Sequence, residues 1–388
     1  MHSSSTFLTA LSLVGAGVAE KLFVSHYSGQ IYTLDLAKSG SSYSLSSTSK
    51  ITGCGGPPSW LTYDGANKML YCSDETFSGS ASISSFSADS AGVLTNAGTA
   101  VTAPGGVANT LFGGSDGKSH IAIAHYQSSK VSTFALPLTS LSEPQQAFTF
   151  TMSAPGPNSA RQDAPHPHEV VLGPNGDFLY APDLGADVIR VWSVEKSTGT
   201  LTACPAVKVP GGTGPRHAAF KKMNGRMMVY VANELANTIT VSRVTYPSGG
   251  CPKFLPVESL TPFPNNATAP SGTKVAEVHI QGAHLYATVR NDKAFSGNDS
   301  VATFALDGST GDIDFVDQVS SQGTYPRTFA INKAGTLLAV GDQTTANVAI
   351  LAIGSDGKLG GQPVANIRLG SAGHAESEDG LSSVVWAE

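Results

Sequence analysis

A strand-turn-strand unit recurs seven times along the 388 residues, and a chain that repeats in this way has few folds open to it. Apolar strand cores begin near Leu22, Leu70, Ile121, Leu179, Val229, Leu285 and Leu338, so successive starts lie 48 to 58 residues apart. Strands repeating about every 50 residues are the mark of propeller blades. Six of the seven cores follow an upstream apolar stretch, such as Ser59–Tyr63, His168–Leu172 and Arg327–Ile331. The first core, Lys21-Leu22-Phe23-Val24-Ser25, has none, and a stretch without a partner, Ser382–Trp386, stands at the other end of the chain. The pattern predicts an all-β fold, a seven-bladed β-propeller closed by pairing of the N- and C-terminal strands. Closure of this kind removes the free sheet edges that invite aggregation.

One closed ring of seven repeats uses nearly the whole chain, so a single domain is expected over residues 20–388. Only 13% of residues are charged, and 42 glycines and 22 prolines suit short strands joined by many turns. The formal net charge is −6 and no lysine or arginine cluster stands out, which argues against a nucleic-acid partner. The apolar run Phe7–Val18 ends in small residues before Glu20-Lys21, the layout of a secretory signal over residues 1–19 with cleavage after Ala19. Met1–Thr6 lacks the usual lysine or arginine. The run is too short to span a membrane, so no membrane partner is expected and the protein is read as secreted. Two glycosylation acceptors, Asn266-Ala267-Thr268 and Asn298-Asp299-Ser300, agree with export. The four cysteines allow three pairings, of which Cys54 with Cys72 and Cys204 with Cys251 is favoured. No paired Cys-x-x-Cys spacing exists, so neither zinc nor another metal or cofactor is expected.

In a propeller the innermost strand of each blade lines the central channel and the next strand runs back beside it. Polar residues at the start of the first strand and at the end of the second therefore meet at one mouth of the channel. Along the chain these positions hold His168 and Asp183, then Arg216, His217 and Glu234, then Glu277 and Arg290, then Arg327 and Gln343. The first three blades offer mainly Ser59, Asn109, Asp74, Glu75 and His26, so the chemistry is weighted to the second half. Asp183, in Pro182-Asp183-Leu184-Gly185, reads as a turn residue. His166 precedes its strand at the edge of the cleft. Arg216 and Arg290 are harder to explain as scaffold, because a channel holds guanidinium groups only against a carboxylate or a ligand, and Glu234 is the obvious partner.

These residues carry a resemblance. His166-Pro167-His168-Glu169-Val170, Pro182–Asp187, Gly214-Pro215-Arg216-His217, Asn233-Glu234-Leu235 and Tyr325-Pro326-Arg327-Thr328-Phe329 resemble, in order and position, the seven-bladed lactonase family. That family includes propeller-type 6-phosphogluconolactonases and fungal 3-carboxy-cis,cis-muconate cyclases. The resemblance implies that His168, Arg216, Glu234 and Arg290 are the catalytic residues, and that members need no metal. The export signal sets this chain apart from both named enzymes, which act on intracellular metabolites, and suits an extracellular aldonolactone better.

Lactone hydrolysis needs a base for water and a cation or hydrogen-bond donor where charge grows on the carbonyl oxygen. Glu234 or His168 is expected to activate water, with Arg216 and Arg290 on the oxyanion. His166, His217, Glu277, Arg327 and Gln343 complete the substrate-binding set. A cycloisomerase acting on a dicarboxylate would use the same residues, its carboxylates clamped by the arginines. The third reading is a non-catalytic propeller that binds a glycan or a protein. No Gly-x-Ser-x-Gly elbow supports a serine hydrolase.

Overall fold

The computed structural model describes residues 19–248 and 250–388; the apolar run Phe7–Val18 of the expected signal lies outside them. Seven antiparallel sheets follow one another around a ring. The first blade is built from Leu381–Trp386, Glu20–His26, Gln30–Ser39 and Ser42–Thr52, and the last from Pro326–Ile331, Leu337–Asp342, Asn347–Ala352 and Ala365–Arg368. Between them come blade two (residues 58–102), blade three (106–149), blade four (171–208), blade five (215–260) and blade six (274–320). Apart from one short 3-10 turn, Pro264–Asn266, the described residues form no helix.

The ring closes where the repeat pattern requires. Leu22 pairs with Trp386, Phe23 with Val385, Val24 with Val384 and Ser25 with Ser383, so the C-terminal strand is the innermost strand of the first blade. Trp386 Nε1 also donates to Ala330 O in blade seven, at 3.0 Å.

Each second strand is apolar on both faces, and the structure shows why. In Arg226–Asn233, Val229 and Val231 pack against blade four, while Met228, Tyr230 and Ala232 pack against blade six. Alternate residues point to opposite faces of a strand, so a sheet between two sheets needs a continuous apolar run. The core is accordingly divided among the described residues into seven apolar clusters, one at each junction between neighbouring blades. Two disulfides add covalent ties between neighbours. Cys54–Cys72 joins blades one and two, and Cys204–Cys251 joins blades four and five.

One expected strand is shorter than its sequence suggests. Of His168–Leu172 only Val171–Leu172 is strand, with a single bridge from Pro167 to Asp183 before it. Pro165 and Pro167 have no N–H to give the ladder, so the segment enters the blade late.

Loss of the C-terminal strand would expose the edge of Glu20–His26 and uncover one face of the junction between blades one and seven. A chain truncated after Gly380 is expected to lose cooperative thermal unfolding and to aggregate, as followed by calorimetry and light scattering. Trp386→Ala keeps the strand but empties a nearly buried site, and should cost about 3–5 kcal/mol in denaturant unfolding.

Candidate active site

In six blades the innermost strand opens with a β-bulge. The register slips between Leu381 and Ser383, Pro58 and Trp60, Gly106 and Ala108, Pro215 and His217, Val275 and Val278, and Pro326 and Thr328. The extra residues are Ser382, Ser59, Val107, Arg216, Ala276 with Glu277, and Arg327. A bulge sets two residues against one and re-aims a side chain. Here Arg327 reaches from blade seven to blade two, placing its Nη2 3.2 Å from Ser59 Oγ and 3.5 Å from Glu75 Oε2. Three bulges begin at a proline, a residue tolerated at the first position of a strand because its missing N–H costs no ladder bond. Gly214, before one of them, has φ +61°, and a Cβ there would lie 2.4 Å from Leu235 Cγ, so only glycine fits.

At the centre stands the buried carboxylate of Glu234, from the turn after the second strand of blade five. Arg290 Nη2 donates to its Oε2 at 2.6 Å, Arg216 Nε lies 2.9 Å from the same oxygen, and Arg161 Nη2 lies 2.6 Å from Oε1. Burial would push its pKa up, but Arg290, Arg161 and Arg216 outweigh burial and hold it well below the usual carboxylate range. Glu234 is thus a fixed anion that gathers cations, and is unsuited to take a proton near neutral pH.

A second carboxylate anchors the opposite wall. Glu75 Oε2 accepts from Tyr27 Oη at 2.7 Å and from Ser59 Oγ at 2.5 Å, and faces Arg327. Above both lies the loop that joins Arg368 to Leu381. Gln343 Nε2 holds it by donating to Ser377 O at 2.5 Å and Asp379 O at 3.1 Å, while Tyr325 Oη and Lys274 Nζ both bind Glu376.

His168 completes the pocket. Its backbone N–H donates to Pro182 O at 2.9 Å, and its ring packs edge-on to Tyr126, with centroids 5.7 Å apart. Burial and the nearby Arg216 charge push its pKa well below the ordinary histidine value, so the ring is neutral at pH 7. The cavity, open to solvent at its mouth, has a volume of about 360 Å³ and draws on every blade: Tyr27, Glu75, Tyr126, Arg161, His168, Glu234, Arg290, Arg327 and Gln343 all face it.

His168, Glu234, Arg290, Arg327 and Gln343 are therefore brought together as the sequence suggested, with Arg216 seated behind Glu234 and donating through Nη1 to Ala276 O at 2.9 Å. His166, His217 and Glu277 do not line this cavity. His166 stacks flat on Tyr126, 4.1 Å between centroids, and spends its nitrogens on Tyr126 O and Asp163. The bulge at Arg216 turns His217 toward blade four, where Nδ1 lies 3.2 Å from Glu169 Oε1. Glu277 Oε2 accepts the N–H of Phe329 in the next blade at 3.0 Å. Asp183 is a turn anchor, accepting from the N–H groups of His166 and Ala186 and from Arg190. The first three blades contribute Tyr27 and Tyr126 beside the Glu75 already expected from them. Arg161 gave no sequence signal, because it lies in a loop without strand periodicity.

With this geometry in view, comparison with known proteins places the chain in a family. Residues 21–374 match the family model "Lactonase, 7-bladed beta-propeller", and the chain belongs to that family. It is 30% identical over 301 residues to the "Probable 6-phosphogluconolactonase" of Arthroderma benhamiae, covering 76% of this chain and 73% of that one. It is 28% identical over 236 residues to the 6-phosphogluconolactonase of Bacillus subtilis, covering 61% and 63%. Among solved structures, the Pseudomonas aeruginosa periplasmic gluconolactonase PpgL superposes with a TM-score of 0.75 over 95% of this chain and 99% of that one, at 24% identity. The last likeness shows the shared fold.

Removing the charge of Glu234 leaves three guanidinium groups facing one another. Glu234→Ala is expected to lose about 3–5 kcal/mol of unfolding free energy at pH 7. Because the folded-state pKa lies below the ordinary 4.5, the contribution of Glu234 is complete above that pH and fades as the pH falls through the depressed value. The gap between wild type and Glu234→Gln in denaturant titrations should therefore narrow only in acid, below about pH 4.

Proposed function

We propose that this protein is a secreted hydrolase of an uncharged sugar lactone, an aldono-1,5-lactone being the natural candidate. The observation that carries this reading is a neutral imidazole, His168, facing the same cavity as the guanidinium groups of Arg290 and Arg327. His168 takes a proton from water, the hydroxide adds to the lactone carbonyl, and the developing oxyanion is held by Arg290 and Arg327. The protonated imidazole then returns its proton to the ring oxygen as the C–O bond breaks. Glu234 keeps the arginines in place and stays ionised throughout. Of the two candidate bases, the ion-pair geometry favours His168.

The charge of the mouth supports an uncharged substrate. Glu376 and Glu378 stand at the cavity with the ion-paired arginines, and an added phosphate or a second carboxylate would meet them. Export is supported by two disulfides, which persist in oxidising compartments, and by the exposed acceptor Asn266. Asn298 is less open, and the next residue, Asp299, is buried and accepts from the N–H groups of Asn291, Lys293 and Tyr325.

The test is proton release at constant pH with a panel of aldono-1,5-lactones. His168→Ala should lower kcat by about 10²–10⁴-fold, and Arg290→Ala by about 10²–10³-fold. Since His168 must be neutral and its pKa lies below 6.5, kcat/KM should stay level as the pH falls through 6.5 and decline only further into acid. A decline centred at or above 6.5 counts against His168. No release with any lactone, joined to loss of carboxymuconate absorbance, would favour the cyclase; silence in both assays would favour a binding protein.

A further inference from the structure

Behind the cavity a second histidine stands where substrate cannot reach it. The rings of His168 and His217 lie 5.4 Å apart between centroids, inclined by 60°. His168 Nδ1 and His217 Nε2 are both buried without a hydrogen-bond partner, on side chains that are themselves more than nine-tenths buried. A buried polar atom left unpaired is costly, so two on adjacent rings call for a shared partner. A single water between two ring nitrogens would satisfy both. On its far side His217 Nδ1 lies 3.2 Å from Glu169 Oε1, and Glu169 Oε2 accepts the N–H of Ala218 at 2.7 Å. Glu169 does not line the cavity, yet 13% of its side chain remains exposed.

Ester hydrolysis near neutral pH makes this arrangement useful. Water and a neutral lactone yield a hydroxy-carboxylate and one proton per turnover. The proton lent by His168 to the ring oxygen is spent there, and the one shed by the new carboxylic acid must leave the cavity before the next turnover. We propose that His217 and Glu169 form the exit for this proton, passing it from His168 away from the cavity to solvent at Glu169. The assignment rests on the lactonase reading given above.

The charged surroundings suit the direction of transfer. Arg216, Glu234, Arg290 and Arg327 face His168; Arg216, His279 and Arg327 face His217; Glu277 and Arg216 face Glu169. Burial, with Arg216 beside it, keeps both imidazoles neutral at rest, so neither stores the proton. Burial pushes the Glu169 carboxyl up to about 8, which lets it bind and release a proton around neutral pH. Both residues thus act through His168 and position nothing on the substrate themselves.

The experiment measures kcat for an aldono-1,5-lactone in weak and in strong buffer, over a range of pH, for wild type, Glu169→Gln, Glu169→Asp and His217→Gln. Glu169→Gln retains an oxygen for the Ala218 N–H, and matched thermal midpoints confirm that the variants fold. The expected result is a kcat about tenfold lower in weak buffer for Glu169→Gln and His217→Gln, restored by added imidazole. Wild type should respond little to the buffer, and Glu169→Asp should recover part of the rate. A kcat unchanged in both variants, or lowered equally at every buffer strength, would overturn the relay. Failure of the wild-type protein to hydrolyse any lactone would instead bring down the functional reading, and the relay with it.

Discussion

Pairing of Leu381–Trp386 with Glu20–His26 is the constraint on which the other features rest, because it turns a row of stacked sheets into a ring with an axis. In an open row the innermost strands would face solvent, and residues more than a hundred positions apart would have no shared neighbourhood. Once closed, each blade is held on both sides by an apolar junction, and the innermost strand of every blade lines one shared axis. The residues that meet there come from chain positions as distant as Tyr27 and Gln343.

What meets at the axis is mostly charge, and the ion pairs determine what that charge can do. Glu234 is surrounded by Arg161, Arg216 and Arg290, and Glu75 faces Arg327. Buried cations survive only beside such partners, since removing a charge from water costs more than any single contact returns. Glu234 and Glu75 are therefore part of the framework, and the neutral imidazole of His168 is the group to which the proposed reaction gives proton transfer. The division follows from solvation: Glu234 is held ionised by the arginines, and burial together with Arg216 keeps the imidazole neutral.

The ring, its seven blades and its closure were legible in the sequence because strand periodicity is local, and the spacing of apolar cores survives the variation of loops. The site was legible in part. His168, Glu234, Arg290, Arg327 and Gln343 fall at strand ends, where the repeat itself predicts convergence. Arg161 escaped because a loop has no period to place it, and Glu376 because the loop after blade seven covers the mouth only once the ring is closed. His217 and Glu277 were placed in the pocket by the same positional rule, and His166 by its position just before a strand, yet their side chains turn to Glu169, Phe329 and Tyr126. A bulge changes which of two neighbours faces the axis, and the pairing partner decides where it falls.

The sequence by itself determined the repeat, the number of blades, the strand that closes them and the set of polar residues near one mouth. These follow from alternation and spacing along the chain, which act over a few residues at a time. Only the tertiary structure decided which carboxylate is pinned, which imidazole stays neutral and which side chains face the cavity. Those outcomes depend on burial and on charges brought within about 3 Å from other blades, and interactions of that range exist only after the chain has folded.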